Sequence, residues 1–368
     1  MTDNRKYDKK LVDEIHRKEY VENVNGMDIL FKPVPDDDRR HVMDPRLYAT
    51  AEKKKAMFKQ RAKGGYSLLN ERYRPDKVTY ELTETEIETD ERLISVNDDH
   101  MIDIFMYRRK DDEGKKLPVM IYLHGGGWTA GDIHLYEKQM RLVAEKAHAV
   151  TVFPEYRLAP ECPFPGPIDD CYAAVNYIYD HADELNIDQT KIMVAGDSAG
   201  GGLTNSCVIK DISDRKIISK VFELYPSFDA RNPKDVKEFT WSYDAYPMLD
   251  EQADVIHSRI DRIRVGHENA SEDGLYIQRK TTLDNPLISP MCASEEVLKQ
   301  FPEMVICNSE FDYLRMGAEY AARRFNTLGV SVKLVTYCGC DHGFLDNLGS
   351  TVQAEEVCGF MAEEIQKM

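Results

Sequence analysis

Ser198 stands in Gly196-Asp197-Ser198-Ala199-Gly200, directly after the apolar run Ile192-Met193-Val194-Ala195 and before a segment able to continue as a helix. A serine at so sharp a strand-to-helix turn takes a strained backbone, and small residues two places to either side let strand and helix pass closely. Gly196 and Gly200 meet that demand. The turn lifts the hydroxyl above the strand end and aims the next N–H, that of Ala199, into the same space, which gives a nucleophile and part of an oxyanion site. A serine hydroxyl is a poor nucleophile near neutral pH. It needs an imidazole to take its proton and a carboxylate to hold the imidazole tautomer. The chain offers Asp312 after one apolar run and His342 after another. Glu310 and Asp341 are rival acids. Asp341 adjoins the histidine and would have difficulty reaching the far ring nitrogen, while Glu310 is the closer competitor.

A second stretch, His124-Gly125-Gly126-Gly127-Trp128, follows the apolar run Leu117 to Leu123. Consecutive glycines bare the backbone N–H groups that side chains would shield, so such a loop can aim donors at a developing negative charge. Gly125, Gly126, Gly127 and Ala199 are the candidate oxyanion donors, with Gly126 and Gly127 favoured among the three glycines. A phosphate-cradling loop is excluded, because neither Gly-Lys-Ser/Thr nor a G-x-G-x-x-G spacing is present.

These groups must be carried by strands that end on one edge of a sheet. Strand-like runs fall at Glu91–Val96, Met101–Arg108, Leu117–Leu123, Ala149–Phe153, Lys191–Ala195, Lys220–Leu224, Glu303–Cys307 and Ser331–Tyr337. Helical patterns at Leu135–Ala147, Asp169–Tyr179, Ala199–Ile209, Ala318–Thr327 and Thr351–Gln366 alternate with the later ones. The alternation predicts an α/β fold with a mostly parallel central sheet flanked by helices. Residues 1–90 read as helices and loops without a strand, and 227–285 interrupt the alternation with charge and aromatics. Both are assigned to a helical lid, around a core formed by 91–226 and 286–368. Glu155, Arg157 and Glu161 are read as one structural ion network, and Asp197 as a brace for the turn.

The 368 residues include 48 Lys and Arg against 65 Asp and Glu, a net charge of −17. The surplus lies entirely beyond residue 90 and would repel a phosphate backbone, so nucleic acid is not an expected partner and a neutral substrate is easier to accept. No run approaches the roughly 20 apolar residues that span a bilayer, and the N-terminus lacks an apolar leader, so the chain reads as cytoplasmic. Eight cysteines lack paired metal-ligand spacing and read as thiols.

HGGGW at 124–128, Tyr156-Arg157-Leu158-Ala159-Pro160, GDSAGG at 196–201, Asp312 with Leu314-Arg315, and His342-Gly343-Phe344 together resemble the hormone-sensitive-lipase-like esterases of the α/β-hydrolase superfamily, in the GDSAG branch. Glu155 stands where many members have Asp. The resemblance implies an α/β-hydrolase fold with a helical cap, Ser198 as nucleophile, His342 as general acid and base, and Asp312 as its orienting acid. It also implies no metal or organic cofactor and a small-molecule ester substrate with a short acyl chain. An amide or formamide hydrolase, or a deacetylase of sugars or drug-like molecules, would use the same triad. A ligand receptor of the gibberellin-receptor kind is disfavoured, since such a protein can lose its base and His342 is present. A homodimer is left open.

Overall fold

The computed structural model describes residues 3–64, 67–74 and 77–368. In chain order the elements are α1 (Lys10–Lys18), β1 (Tyr20–Val24), β2 (Met27–Lys32), α2 (Pro45–Gly64), α3 (Leu68–Arg72), β3 (Ile87–Val96), β4 (His100–Arg109), β5 (Leu117–Leu123), α4 (Ile133–Ala147) and β6 (Val150–Pro154). There follow α5 (Gly166–Asp180), β7 (Ile187–Asp197), α6 (Ala199–Ser213), β8 (Lys220–Leu224), α7 (Ala253–Glu268), α8 (Glu295–Leu298), β9 (Glu303–Phe311), α9 (Arg315–Thr327), β10 (Val332–Asp341) and α10 (Val352–Gln366).

The strands form one sheet in the order β1-β2-β10-β9-β8-β7-β5-β6-β4-β3. Every pairing from β2 through β10, β9, β8, β7 and β5 to β6 is parallel, while the outermost strands pair antiparallel. Alternate residues of β5 feed opposite faces. Val119 and Ile121 join the core beneath α5, α6 and α9, and Met120 and Tyr122 join that beneath α4 and α10. Covering both faces of a parallel strand explains its unbroken apolar run. Each fully buried Val or Ile side chain there contributes about 1.5–3 kcal/mol, so the central strands are the firmest mounts for loops at their ends.

The N-terminal region departs from expectation. Residues 1–90 were expected to hold no strand, yet β1 and β2 make a hairpin and β2 pairs in parallel with β10, Ile29 opposite Leu334. The alternation is weak because β1 is half-buried only at its two ends. The turn at Asn25-Gly26 was the missed signal: φ is 52° and 83°, and that dipeptide is the strongest short-range mark of a hairpin. Residues 20–32 are therefore part of the sheet. Strand β9 continues through Asn308-Ser309-Glu310-Phe311, where polar residues suggested a loop, and β10 continues to Asp341 past a register shift beyond Tyr337. Among the described residues no helix is long and apolar enough to cross a membrane.

Candidate active site

Four strands deliver the site. β7 ends at Asp197, β9 at Phe311 and β10 at Asp341, and the next residue in each case is Ser198, Asp312 or His342. Ser198 has φ 55° and ψ −118°, a strained conformation held by its N–H to Leu224 O at 2.9 Å and by strand and helix running close together. A Cβ on Gly200 would lie 1.9 Å from Leu123 O, which makes glycine obligatory at that crossing. β5 brings the glycine loop to the same edge.

Ser198 Oγ lies 2.8 Å from His342 Nε2, and His342 Nδ1 lies 2.6 Å from Asp312 Oδ2. The carboxylate can only accept, so Nδ1 carries the proton and Nε2 faces the hydroxyl as an acceptor. Asp312 is fully buried and His342 nearly so, whereas Ser198 remains partly open. Asp312 Oδ1 accepts the Leu314 N–H at 3.0 Å, which fixes the carboxylate. The rival acids are engaged elsewhere. Glu310 accepts the Gly339 N–H at 2.7 Å and contacts His41 Nδ1 at 2.9 Å; Asp341 pairs with Arg259.

Of the sequence-derived oxyanion donors, Gly125 is the correction: its N–H is spent on Asp197 Oδ1 at 2.8 Å. The amides of Gly126, Gly127 and Ala199 have no partner among the described residues. Asp197 also receives the hydroxyls of Tyr122 at 3.0 Å and Tyr136 at 3.2 Å, so it ties the serine turn to the glycine loop. Burial, reinforced by Asp346, raises its pKa to about 7. Trp128, at φ 60°, stacks on Tyr276 with centroids 4.6 Å apart. That aromatic of the 227–285 segment therefore anchors the glycine loop.

The expected network of Glu155, Arg157 and Glu161 separates into three pairings. Arg157 chelates Asp170, Glu161 pairs with Arg72, and Glu155 accepts the Ile133 N–H at the start of α4. Their spacing suggested mutual contact, but the chain turns between them toward different elements. Arg72, which sequence reasoning passed over, also donates to Thr129 O and Ala159 O, joining the glycine loop to the Tyr156–Pro160 stretch. The 550 Å³ hollow beside it, lined by Arg72, Asp132, Glu155 and Arg157, touches no member of the triad.

Residues 120–346 match the family described as alpha/beta hydrolase fold. The chain is 34% identical over 234 residues to carboxylesterase NlhH of Mycobacterium tuberculosis, an alignment covering 62% of this chain and 67% of that protein. It is 30% identical over 237 residues to a protein of Acanthamoeba polyphaga mimivirus named as an alpha/beta hydrolase, covering 62% of each, somewhat under two thirds of that relative's length. The crystal structure of carboxyl esterase 2 from the mycorrhizal fungus Tuber melanosporum superposes with a TM-score of 0.66 at 25% identity, over 88% of this chain and 99% of that one.

Proposed function

The chain belongs to the alpha/beta hydrolase fold family, and from that premise we propose that it is a serine carboxylesterase working through an acyl-enzyme on Ser198. The observation that carries this reading is the continuous hydrogen-bonded line from Ser198 Oγ through His342 to Asp312. Esterase names among its relatives support the reaction class. In the reaction, His342 Nε2 takes the Ser198 proton as Oγ adds to the ester carbonyl. The amides of Gly126, Gly127 and Ala199 stabilise the oxyanion, and the imidazolium gives its proton to the departing alcohol. Water then enters and its oxygen adds to the acyl carbonyl as His342 takes one of its protons; the acyl–oxygen bond to Ser198 breaks as the imidazolium returns that proton to Oγ, releasing the acid. Asp312 stays ionised and holds the imidazolium.

A cover over the strand ends is assigned to α2, α3 and residues 227–285, since α2 packs on α7. Beneath it, a recess of about 30 Å³ is lined by Phe228, Trp241, His267, Tyr313 and Leu314. No residue of the triad lines that recess, and it has room for about one water molecule, so the preference for short acyl groups rests on the likeness to esterases and not on this space. Ser198→Ala is expected to lower kcat on p-nitrophenyl butyrate by about 10⁴-fold or more with an unchanged circular dichroism spectrum, and Asp312→Asn by about 10³–10⁴-fold. Turnover retained by the Ser198 variant would overturn the assignment.

A further inference from the structure

Cations gather on one side of the triad histidine. Arg74 and Lys77 come from the stretch before β3, and Arg259 and Arg262 stand one turn apart on α7. Three of the four have a carboxylate: Arg74 pairs with Glu71 at 3.0 Å, Lys77 with Asp346 at 2.8 Å, and Arg259 with Asp341. Arg262 has none within ion-pair reach among the described residues. Its one polar contact is a 2.8 Å hydrogen bond from a terminal nitrogen to the backbone oxygen of His342. A guanidinium has five N–H donors, and one bond to a neutral carbonyl leaves most of them without a direct partner, while Asp341 and Asp346, each paired with another cation, act on its charge from beyond ion-pair reach. The side chain keeps accessible surface, yet protein crowds it enough that burial, together with Arg259, lowers its pKa to about 10. It remains a cation at neutral pH, hydrogen-bonded to the backbone of the residue that carries the reacting imidazole.

We propose that Arg262 recognises a carboxylate on the substrate, which makes the preferred substrates acid half-esters instead of the neutral esters that the overall charge suggests. A net charge of −17 gives such a molecule no general attraction to the surface, so a surplus cation beside the triad is the feature that selects it. A planar fork suits a carboxylate in two-point contact, which an ammonium cannot reproduce. The inference rests on the carboxylesterase reading, and hydrolysis would yield a dicarboxylic acid and an alcohol if the charge lies on the acyl side, or a monoacid and a hydroxy acid if it lies on the alcohol side.

The test compares kcat/KM within two pairs: mono-p-nitrophenyl glutarate against p-nitrophenyl valerate, and 4-acetoxybenzoate against its methyl ester. In the native protein the charged member of one pair is expected to be the better substrate, and that pair identifies the side that carries the charge. Arg262→Gln should lower the charged member at least tenfold while leaving its neutral partner within about threefold, and Arg262→Lys should recover only part of the loss. Equal losses on both members would mean that Arg262 only supports the His342 loop and would overturn the proposal, as would an unchanged ratio. Calorimetric titration of Ser198→Ala with the glutarate half-ester, with and without Arg262→Gln, separates the two readings. Arg262-dependent binding without native turnover keeps the anion site and removes the hydrolase; turnover of neutral esters with Arg262-independent binding does the reverse.

Discussion

His124 is buried between aromatic rings, stacked on Tyr156 at 4.2 Å and on Phe153 at 5.4 Å. Its Nδ1 lies 2.8 Å from Gly125 O, and a carbonyl only accepts, so the proton sits on Nδ1. Nε2 is buried with no partner among the described residues. Protonating it would place an unpaired charge in an apolar setting, and burial accordingly lowers the pKa to about 4. Because the folded value lies below the unfolded one of about 6.5, the stabilising contribution is complete above pH 6.5 and is lost as pH falls toward 4. A shift of that size corresponds to roughly 3 kcal/mol. His267, also lowered to about 4 by burial, acts in the same window. Asp197, raised to about 7, titrates with the opposite sign in the same window, so the contribution of His124 is read as the difference in thermal midpoint between the native protein and His124→Phe, which should be level from pH 8 to about 6.5 and fall below it. His124→Phe should lower the plateau and flatten the fall, and a slope identical in both proteins would refute the assignment of the proton.

At the scale of elements, the glycine loop does its work through backbone shape. Gly126 has φ +128°, and a Cβ there would lie 2.0 Å from Ala130 O. That carbonyl belongs to the turn itself, where the Ala130 N–H bonds Gly126 O, so it has no room to retreat. Gly126→Ala should displace the oxyanion amides and lower kcat by about 10²–10³-fold with KM changed little. A Cβ on Gly127 meets nothing within 4 Å, and its φ of 63° costs only about 1–2 kcal/mol. Gly127→Ala should therefore be the milder change in a side-by-side kinetic comparison.

The same elements show what the chain discloses in advance. β5 was legible to the residue, because a strand covered on both faces is written as an apolar run; β8 was legible to the residue as well, although Lys220 and Glu223 interrupt its apolar residues. Ser198 was legible because its turn follows such a run, and Asp312 and His342 because their types come in the order serine, acid, histidine in the stretches just beyond the runs that end at Cys307 and Tyr337. The polar end of β9 was not. Asn308 and Ser309 read as loop, while the structure pairs them with Thr336 and Tyr337 of β10. Gly125 was misread because its amide partner, Asp197, is distant in sequence. Arg262 gave no signal at all, being one arginine among several on a charged helix.

For the molecule as a whole, the border between the N-terminal hairpin and the rest of the sheet is sealed by a buried charge. Lys32 Nζ lies 2.6 Å from Glu356 Oε1 on α10, with both side chains almost wholly covered, and Tyr337 gives its hydroxyl to the same carboxylate at 2.6 Å. Burial works against the ammonium, Glu356 and Glu19 together more than offset it, and the Lys32 pKa is raised. Lys32→Met strands a buried carboxylate and should cost about 3–5 kcal/mol, whereas adding Glu356→Gln should return part of that. Urea midpoints of the native, single and double variants check it; an additive loss would mean the two groups are not coupled.

That hairpin also sets a timetable. Early in synthesis its free edge has nothing to pair with, because Ile29 awaits Leu334, and domains assemble while the ribosome is still adding residues. The nascent polypeptide thus leaves the tunnel with an unmatched ribbon and an unpartnered serine, and one late strand completes both. The strand that receives Ile29 on one edge is the strand that carries His342 to Ser198 at its end, so β10 completes the sheet border and the hydrogen-bonded line together.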